Sequence, residues 1–347
     1  MEASHDMHDD ATTVRNPELR PLQITKHAAL FIVTFATMTL AGMLWQNRLD
    51  LEHIAIGLPY ALAGLFILSC HEFGHYFAAK HHGVRVTLPY YIPLPPLPQF
   101  INFGTLGAVI RTKQEIPHRR ALFDIGIAGP VSGFIASLIV LAYGFMTLPG
   151  QDFLLAIHPD YDFTTGMAAS AENGFSLTFG KTLLYMLMEE LFSRPGAYVP
   201  PMTEMYHYPF LITGWFGLLI TALNLLPAGQ LDGGHVTFAM FGRKQHVIGR
   251  ITVAVLVTLG GIGLLPAVME LAGFGNAAVA FMEAVGNFEA WFWPGWLFWA
   301  LLITVVVKVR HPEVPEYQEL TPRRRALGWF SYVMFFICLS PAPLYLA

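Results

Sequence analysis

Three ionisable side chains stand in the middle of an apolar run: His71, Glu72 and His75, within SCHEFGH (Ser69–His75). On a helix, residues four apart share one face, one turn apart, so His71 and His75 can present both imidazoles to a single cation. That spacing suits two corners of a tetrahedral zinc site. Glu72, beside the first histidine, can serve as general base toward a water without ligating the metal. The pattern points to metal-assisted hydrolysis. A catalytic zinc wants three protein ligands and an open position for water. The best third ligand in the chain is Asp232, in AGQLDGGH (Ala228–His235). Pro227, Gly229, Gly233 and Gly234 should break the helix there and let the carboxylate face inward. Asn224, eight residues before Asp232 in FLITGWFGLLITALNLLP, is an uncharged amide in an apolar helix. Its amide can donate to a developing oxyanion or bond a neighbouring helix.

The elements that must position these groups are membrane helices. Residues Ile54–Ala78 are about long enough to cross a bilayer once. Ionisable groups inside such a run are expensive and mark function by default. The chain is 54% hydrophobic and only 13% charged, with mean hydropathy +0.49, against roughly 25% charged in soluble domains. It is therefore read as an integral membrane protein. A net charge of −4 with no basic stripe argues against nucleic acid as a partner. Cys70 and Cys338 both lie in apolar runs, as reduced, buried residues without a disulfide framework. The opening residues, MEASHDMHDDATTVRNPELR, lack the basic-then-apolar order of a signal peptide and the bias of a transit peptide. The expectation is a retained first anchor, in a bacterial inner (cytoplasmic) membrane.

Seven apolar segments follow a polar N-terminal tail (1–26): Ala28–Trp45, Ile54–Ala78, Ala121–Met146, Tyr208–Pro227 with a continuation to Phe241, Ile248–Leu271, Ala290–Val307 and Ala326–Ala347. If loops alternate sides from an internal N-terminus, 17 of the 20 lysines and arginines fall inside; only Arg48, Lys181 and Arg194 fall outside. The positive-inside rule thus supports seven spans, N-terminus cytoplasmic, with the histidine pair toward the cytoplasmic side. The expected fold is an all-α polytopic membrane protein with a small β-hairpin between the second and third spans. Its parts are a catalytic membrane core (27–241) and C-terminal transmembrane helices (242–347).

The hairpin expectation comes from the connection between Lys80 and Arg120. TLPYYIPLPPLPQF cannot be regular helix, because each proline removes a donor. FGTLGAVIR is glycine-punctuated and partly β-branched, which reads as a short hairpin or edge strand. Non-helical apolar chain beside a span is tolerable only against protein or a wet cavity, so a re-entrant element is expected. An open strand edge there could pair with an extended peptide. The largest extramembrane piece, 148–207, contains the paired acids Glu189 and Glu190, read as a solvated helix face. His81 and His82 read as interfacial polar residues, His235 as a partner of the aspartate or a packing residue, and Trp291, Trp293, Trp296 and Trp299 as an aromatic belt.

HEFGH in one apolar helix and NLLPAGQLDGG near a later one together resemble the site-2 protease family of intramembrane zinc metalloproteases. The signature H-E-x-x-H followed by N-x-x-P-x-x-x-L-D-G is met at Asn224, Pro227, Leu231, Asp232 and Gly233. FGTLGAVI and ALFDIGIAGPVSGF (Ala121–Phe134) are similar to the glycine-rich strand and third helix of the cyanobacterial and plastid branch. The resemblance implies zinc on His71, His75 and Asp232, Glu72 as general base, and Asn224 stabilising the transition state. It also implies cleavage of single-span membrane proteins within the lipid bilayer. Residues 148–207 have neither the length nor the alternating strands of the PDZ domain that many bacterial members carry. Two rivals stand beside this reading: a metal transporter using the same three ligands, and a non-proteolytic scaffold for membrane segments. Transport has no use for a general base, and a scaffold has no need to keep Glu72.

Overall fold

Long apolar stretches with few charges fold as helices in a membrane, because only then is every backbone donor satisfied within the segment. A computed structural model describes residues 21–48, 51–95, 102–164, 166–168 and 177–346. Most of the 1–26 tail thus lies outside the described residues, as do the prolines at 96 and 98. Helix α1 (Pro21–Leu44) opens the described chain, seven residues ahead of the first apolar segment read from the sequence. A 3₁₀ turn (Leu51–Gly57) leads into α2 (Leu58–His81), which has proline in its first turn. Helix α2 stops at His82-Gly83, where Gly83 takes a positive φ of 68°.

Strands β1 (Tyr90–Pro93) and β2 (Thr105–Val109) form an antiparallel hairpin, pairing Tyr90 with Val109, Tyr91 with Ala108 and Pro93 with Thr105. One extra residue on the β2 side makes a bulge. Gly107, at φ 99°, supplies the backbone freedom there. The hairpin lies against protein. Thr37 of α1 donates to the Gly104 carbonyl at 2.7 Å, and Tyr60 of α2 donates to the Phe103 carbonyl at 3.0 Å. Ser69 and Tyr91 share a hydroxyl–hydroxyl hydrogen bond of 2.7 Å.

Helix α3 (Arg119–Met146) starts where the His118 ring accepts the Ala121 N–H, and packs against α2. In lipid no hydrophobic force drives helices together, so close approach over small residues has to do it. Gly74 and Ser132 meet at that seam. A Cβ on Gly74 would lie 2.1 Å from the Ser132 hydroxyl, which itself donates to the Cys70 carbonyl at 2.8 Å.

Residues 148–207 contain α4 (Gln151–Leu155), the strand pair β3 (Tyr161–Asp162) and β4 (Met167–Ala168), β5 (Leu177–Phe179) and α5 (Leu183–Phe192). Glu189 on α5 pairs with Lys181 at 2.7 Å, consistent with a solvated face. Then come α6 (Pro209–Asn224), α7 (Asp232–Phe241), α8 (Gln245–Leu271), α9 (Gly275–Val285), α10 (Phe288–Trp291), α11 (Gly295–Leu302) and α12 (Pro322–Cys338). A last strand, β6 (Leu344–Leu346), pairs with β5.

Among the described residues, five helical stretches are long and apolar enough to cross a membrane: Leu22–Leu44, Glu52–His81, Arg119–Met146, Asp232–Leu271 and Phe288–Val307. The count differs from seven for two physical reasons. The fourth apolar segment stops at Asn224 because Pro227 cannot continue the helix; its 16 residues reach about 24 Å, short of a core roughly 30 Å thick. The last begins with Pro322 and three arginines and ends at Cys338, leaving too few apolar turns. The four tryptophans read as a belt differ in exposure. Trp296 is fully buried, donating to the Pro341 carbonyl at 2.6 Å, whereas Trp291 is exposed.

Candidate functional site

Because α2 is helical throughout, His71 and His75 lie on one face and turn toward α3, with Glu72 buried beside them. Space for the rings comes from glycines on α3. A Cβ at Gly129 would fall 2.0 Å from His75 Nε2, and one at Gly133 would fall 3.0 Å from His71 Nδ1. The His75 ring is further fixed by its Nδ1, 2.7 Å from the Ile125 carbonyl. Donation there leaves the Nε2 lone pair pointing into the site, the arrangement expected of a ligating histidine.

The third residue arrives from the far side of a sharp reversal. After α6 ends at Asn224, residues 225–231 turn back and Asp232 opens α7. The reversal needs glycine. A Cβ on Gly233 would lie 2.0 Å from the Leu225 carbonyl oxygen, and one on Gly234 would lie 2.2 Å from that of Gly229. Asp232 is thereby delivered to the histidines, with Oδ2 3.4 Å from His71 Nε2 and 3.3 Å from His75 Nε2. The two Nε2 atoms are 3.1 Å apart. Asn224 Nδ2 stands 3.3 Å from His71 Nε2.

These separations test the fit of a metal. Four ligands at zinc's bond lengths on a tetrahedron are about 3.3 Å from one another, and the three measured edges lie within 0.2 Å of that value. Two imidazoles and one carboxylate are also one of the donor sets that hold catalytic zinc. The residues fit.

Around them opens a cleft of about 690 Å³. One wall is the end of β2, where the Ile110 backbone faces the Glu72 side chain across the cleft. Among the described residues β2 pairs only with β1, so its second edge is open. The opposite wall is the segment His311–Pro315, ahead of α12. His311 is buried: its Nε2 is 2.7 Å from His235 Nδ1 and its ring stacks on Phe238. Burial pushes the His311 imidazole down to about 3, and the neighbouring His235 adds to the shift. His235 thus turns toward His311, with its Cβ against Gly126.

All five sequence candidates, His71, Glu72, His75, Asn224 and Asp232, line this one cleft. Reading the sequence residue by residue missed the glycines of α3 as ring seats and missed the 311–315 wall. The spacing Gly126-x-x-Gly129-x-x-x-Gly133 was the available signal for the first. Nothing local marks the second. His82 proves to be more than an interfacial polar group. It pairs with Asp124 at 2.8 Å, which also takes both arms of Arg324, at 2.8 and 2.6 Å.

Comparison with known proteins gives a consistent result. The profile described as peptidase family M50 matches residues 59–267. The rice (Oryza sativa subsp. indica) protein named "Probable zinc metalloprotease EGY2, chloroplastic" is 30% identical over 242 residues, covering 67% of this chain and 39% of that protein. Its Arabidopsis thaliana relative "Probable zinc metalloprotease EGY1, chloroplastic" is 32% identical over 206 residues, 59% of this chain and 34% of that protein. The chain therefore spans well under half the length of these curated relatives. No solved structure matches.

Proposed function

This chain belongs to peptidase family M50, the site-2 protease family, and on that premise we propose that it is a zinc-dependent intramembrane endopeptidase acting on single-span membrane proteins. The observation that carries the reading is the convergence of His71 Nε2, His75 Nε2 and Asp232 Oδ2 at 3.1–3.4 Å in a cleft that also contains a carboxylate and an amide. When bound, zinc supplies Lewis acidity, polarising the scissile carbonyl and acidifying water.

The chain's own residues do the rest. Glu72 takes a proton from the attacking water and returns it to the departing amine nitrogen. Asn224 Nδ2 donates to the oxygen on which negative charge grows. A helical substrate hides its scissile carbonyl in its own hydrogen bonds, so it must unwind. The open edge of β2 then offers backbone donors and acceptors to the extended form. In a bilayer this makes the hairpin a re-entrant element, shielded from lipid by α1 and α2. The topology we assign has seven crossings, the short α6 and α12 completing the set where the bilayer thins locally around them, with the N-terminus and catalytic cleft toward the cytoplasm. The catalytic core is 27–241, with 148–207 an extracytoplasmic insertion and 242–347 an accessory helical region. On the sequence reading the membrane is a bacterial cytoplasmic one; "chloroplastic" belongs to the relatives' names.

The test is cleavage of a single-span reporter by the purified full-length chain in proteoliposomes, set beside zinc flux across the same membranes. Zinc-dependent cleavage lost in Glu72→Gln is the expected result. Zinc flux without cleavage would replace the peptidase with a transporter.

A further inference from the structure

A second set of ligand-type atoms converges at the opposite end of α6. Glu204 caps and His207 closes the 3₁₀ turn Met205–His207 that leads into that helix, and His158 comes from the loop after α4. His158 Nε2 lies 3.0 Å from His207 Nε2, and Glu204 Oε2 lies 3.3 Å from His207 Nε2 and 3.6 Å from His158 Nε2. The mean edge is again about 3.3 Å, that of zinc-bound ligands on a tetrahedron. As in the cleft, the pair of imidazoles is completed by one carboxylate oxygen.

Hydrogen bonding alone leaves this cluster incomplete. His207 Nδ1 contacts the Trp45 carbonyl at 2.5 Å, a bond in which only the ring nitrogen can donate. Its Nε2 therefore presents a lone pair in the neutral ring, and one proton on His158 Nε2 is enough to bridge the two imidazoles. Glu204 is 8% exposed, yet its Oε2 has no hydrogen-bond partner. A buried carboxylate oxygen without a donor is costly, and here it faces two ring nitrogens across a gap the size of a cation. Imidazole ligands favour zinc and its first-row neighbours over calcium or magnesium.

We propose that His158, Glu204 and His207 form a second metal site for a zinc-class divalent cation, separate from the catalytic cleft. The length of α6, 16 residues, puts it roughly 24 Å away along the helix. The ion clamps the 148–207 segment to the start of α6 and, through His207 and the Trp45 carbonyl, to the end of α1. His158 retains 22% side-chain exposure, so water can fill the fourth position. The role is a structural brace, and it does not rest on the peptidase reading.

The test counts zinc per chain by mass spectrometry on full-length protein purified in detergent and equilibrated with zinc, alongside thermal unfolding. Wild type is expected to hold two ions. His75→Ala should hold one, and adding His158→Ala to it should leave none. In the His75→Ala background, chelator should lower the Tm, and Glu204→Gln should abolish that shift. His158→Asn, at a partly exposed position, serves where Glu204→Gln fails to fold. One ion in wild type and none in His75→Ala would overturn the second site while leaving the catalytic one intact. An ion in His75→Ala that survives both His158→Ala and His158→Asn would overturn it equally.

Discussion

Gly129→Ala gives the sharpest test of how the cleft is built. Ordinary contact for a Cβ begins near 3.4 Å, and at Gly129 it would meet His75 Nε2 at 2.0 Å and both adjacent ring carbons at 2.4 Å. The neighbour must therefore yield by about 1.4 Å, and that neighbour is a ring pinned to the Ile125 carbonyl. Metal bonds tolerate displacement of only about 0.2 Å, so His75 can no longer ligate. Losing an outer partner of a ligand costs 10–100-fold in affinity; losing the ligand's position should cost at least about 100-fold. Overpacking of about 1–3 kcal/mol is partly offset by the gain of roughly 1 kcal/mol from replacing glycine in a helix, so the fold should survive. The assay measures zinc content, Tm and reporter cleavage together, with Gly261→Ala on α8 as control, since nothing lies within 4 Å of that position. A Gly129→Ala protein with full cleft zinc and full turnover would refute the packing argument.

Glu72→Gln should keep bound zinc and lose about 10²–10⁴-fold in turnover, whereas His75→Ala should lose both; equal zinc loss in the two would remove Glu72 from the base role. Asn224→Ala should lower kcat by about 10²–10³-fold with KM and zinc content little changed, and a pure KM effect would make it a packing residue. His311 carries a pH signature. Its folded pKa, near 3, lies below the ordinary 6.5, so below that ordinary value the unfolded chain binds a proton that the folded chain refuses. Stability is then complete above about 6.5 and falls as pH drops toward 3. Tm should decline more steeply on acidification in wild type than in His311→Gln, and parallel slopes would contradict this.

That His71, His75 and Asp232 could converge was legible because the cues are local. Two histidines at helical spacing, and an aspartate after a proline and among glycines, each announce geometry within a few residues. FGTLGAVI was legible as strand for the same reason. The crossings were less so: apolarity continues through Asn224-Leu-Leu-Pro, and only the proline and the glycine-packed reversal decide where α6 ends. What a seat does for a ring, as Gly129 does for His75, depends on a helix some 50 residues away along the chain and leaves no trace in periodicity. The His158, Glu204 and His207 cluster escaped notice for that reason too, since His158 lies 49 residues from His207.

The cleft sets the end of the open-edged strand, at Ile110, beside Glu72, the residue proposed as proton carrier. A guest chain that hydrogen-bonds along that edge can slide only in steps that restore the ladder, and side chains return to the same face every second residue. Miscuts on a given substrate should accordingly be spaced two residues apart, with single-residue offsets rare. The hairpin would then act as a ruler as well as a handhold.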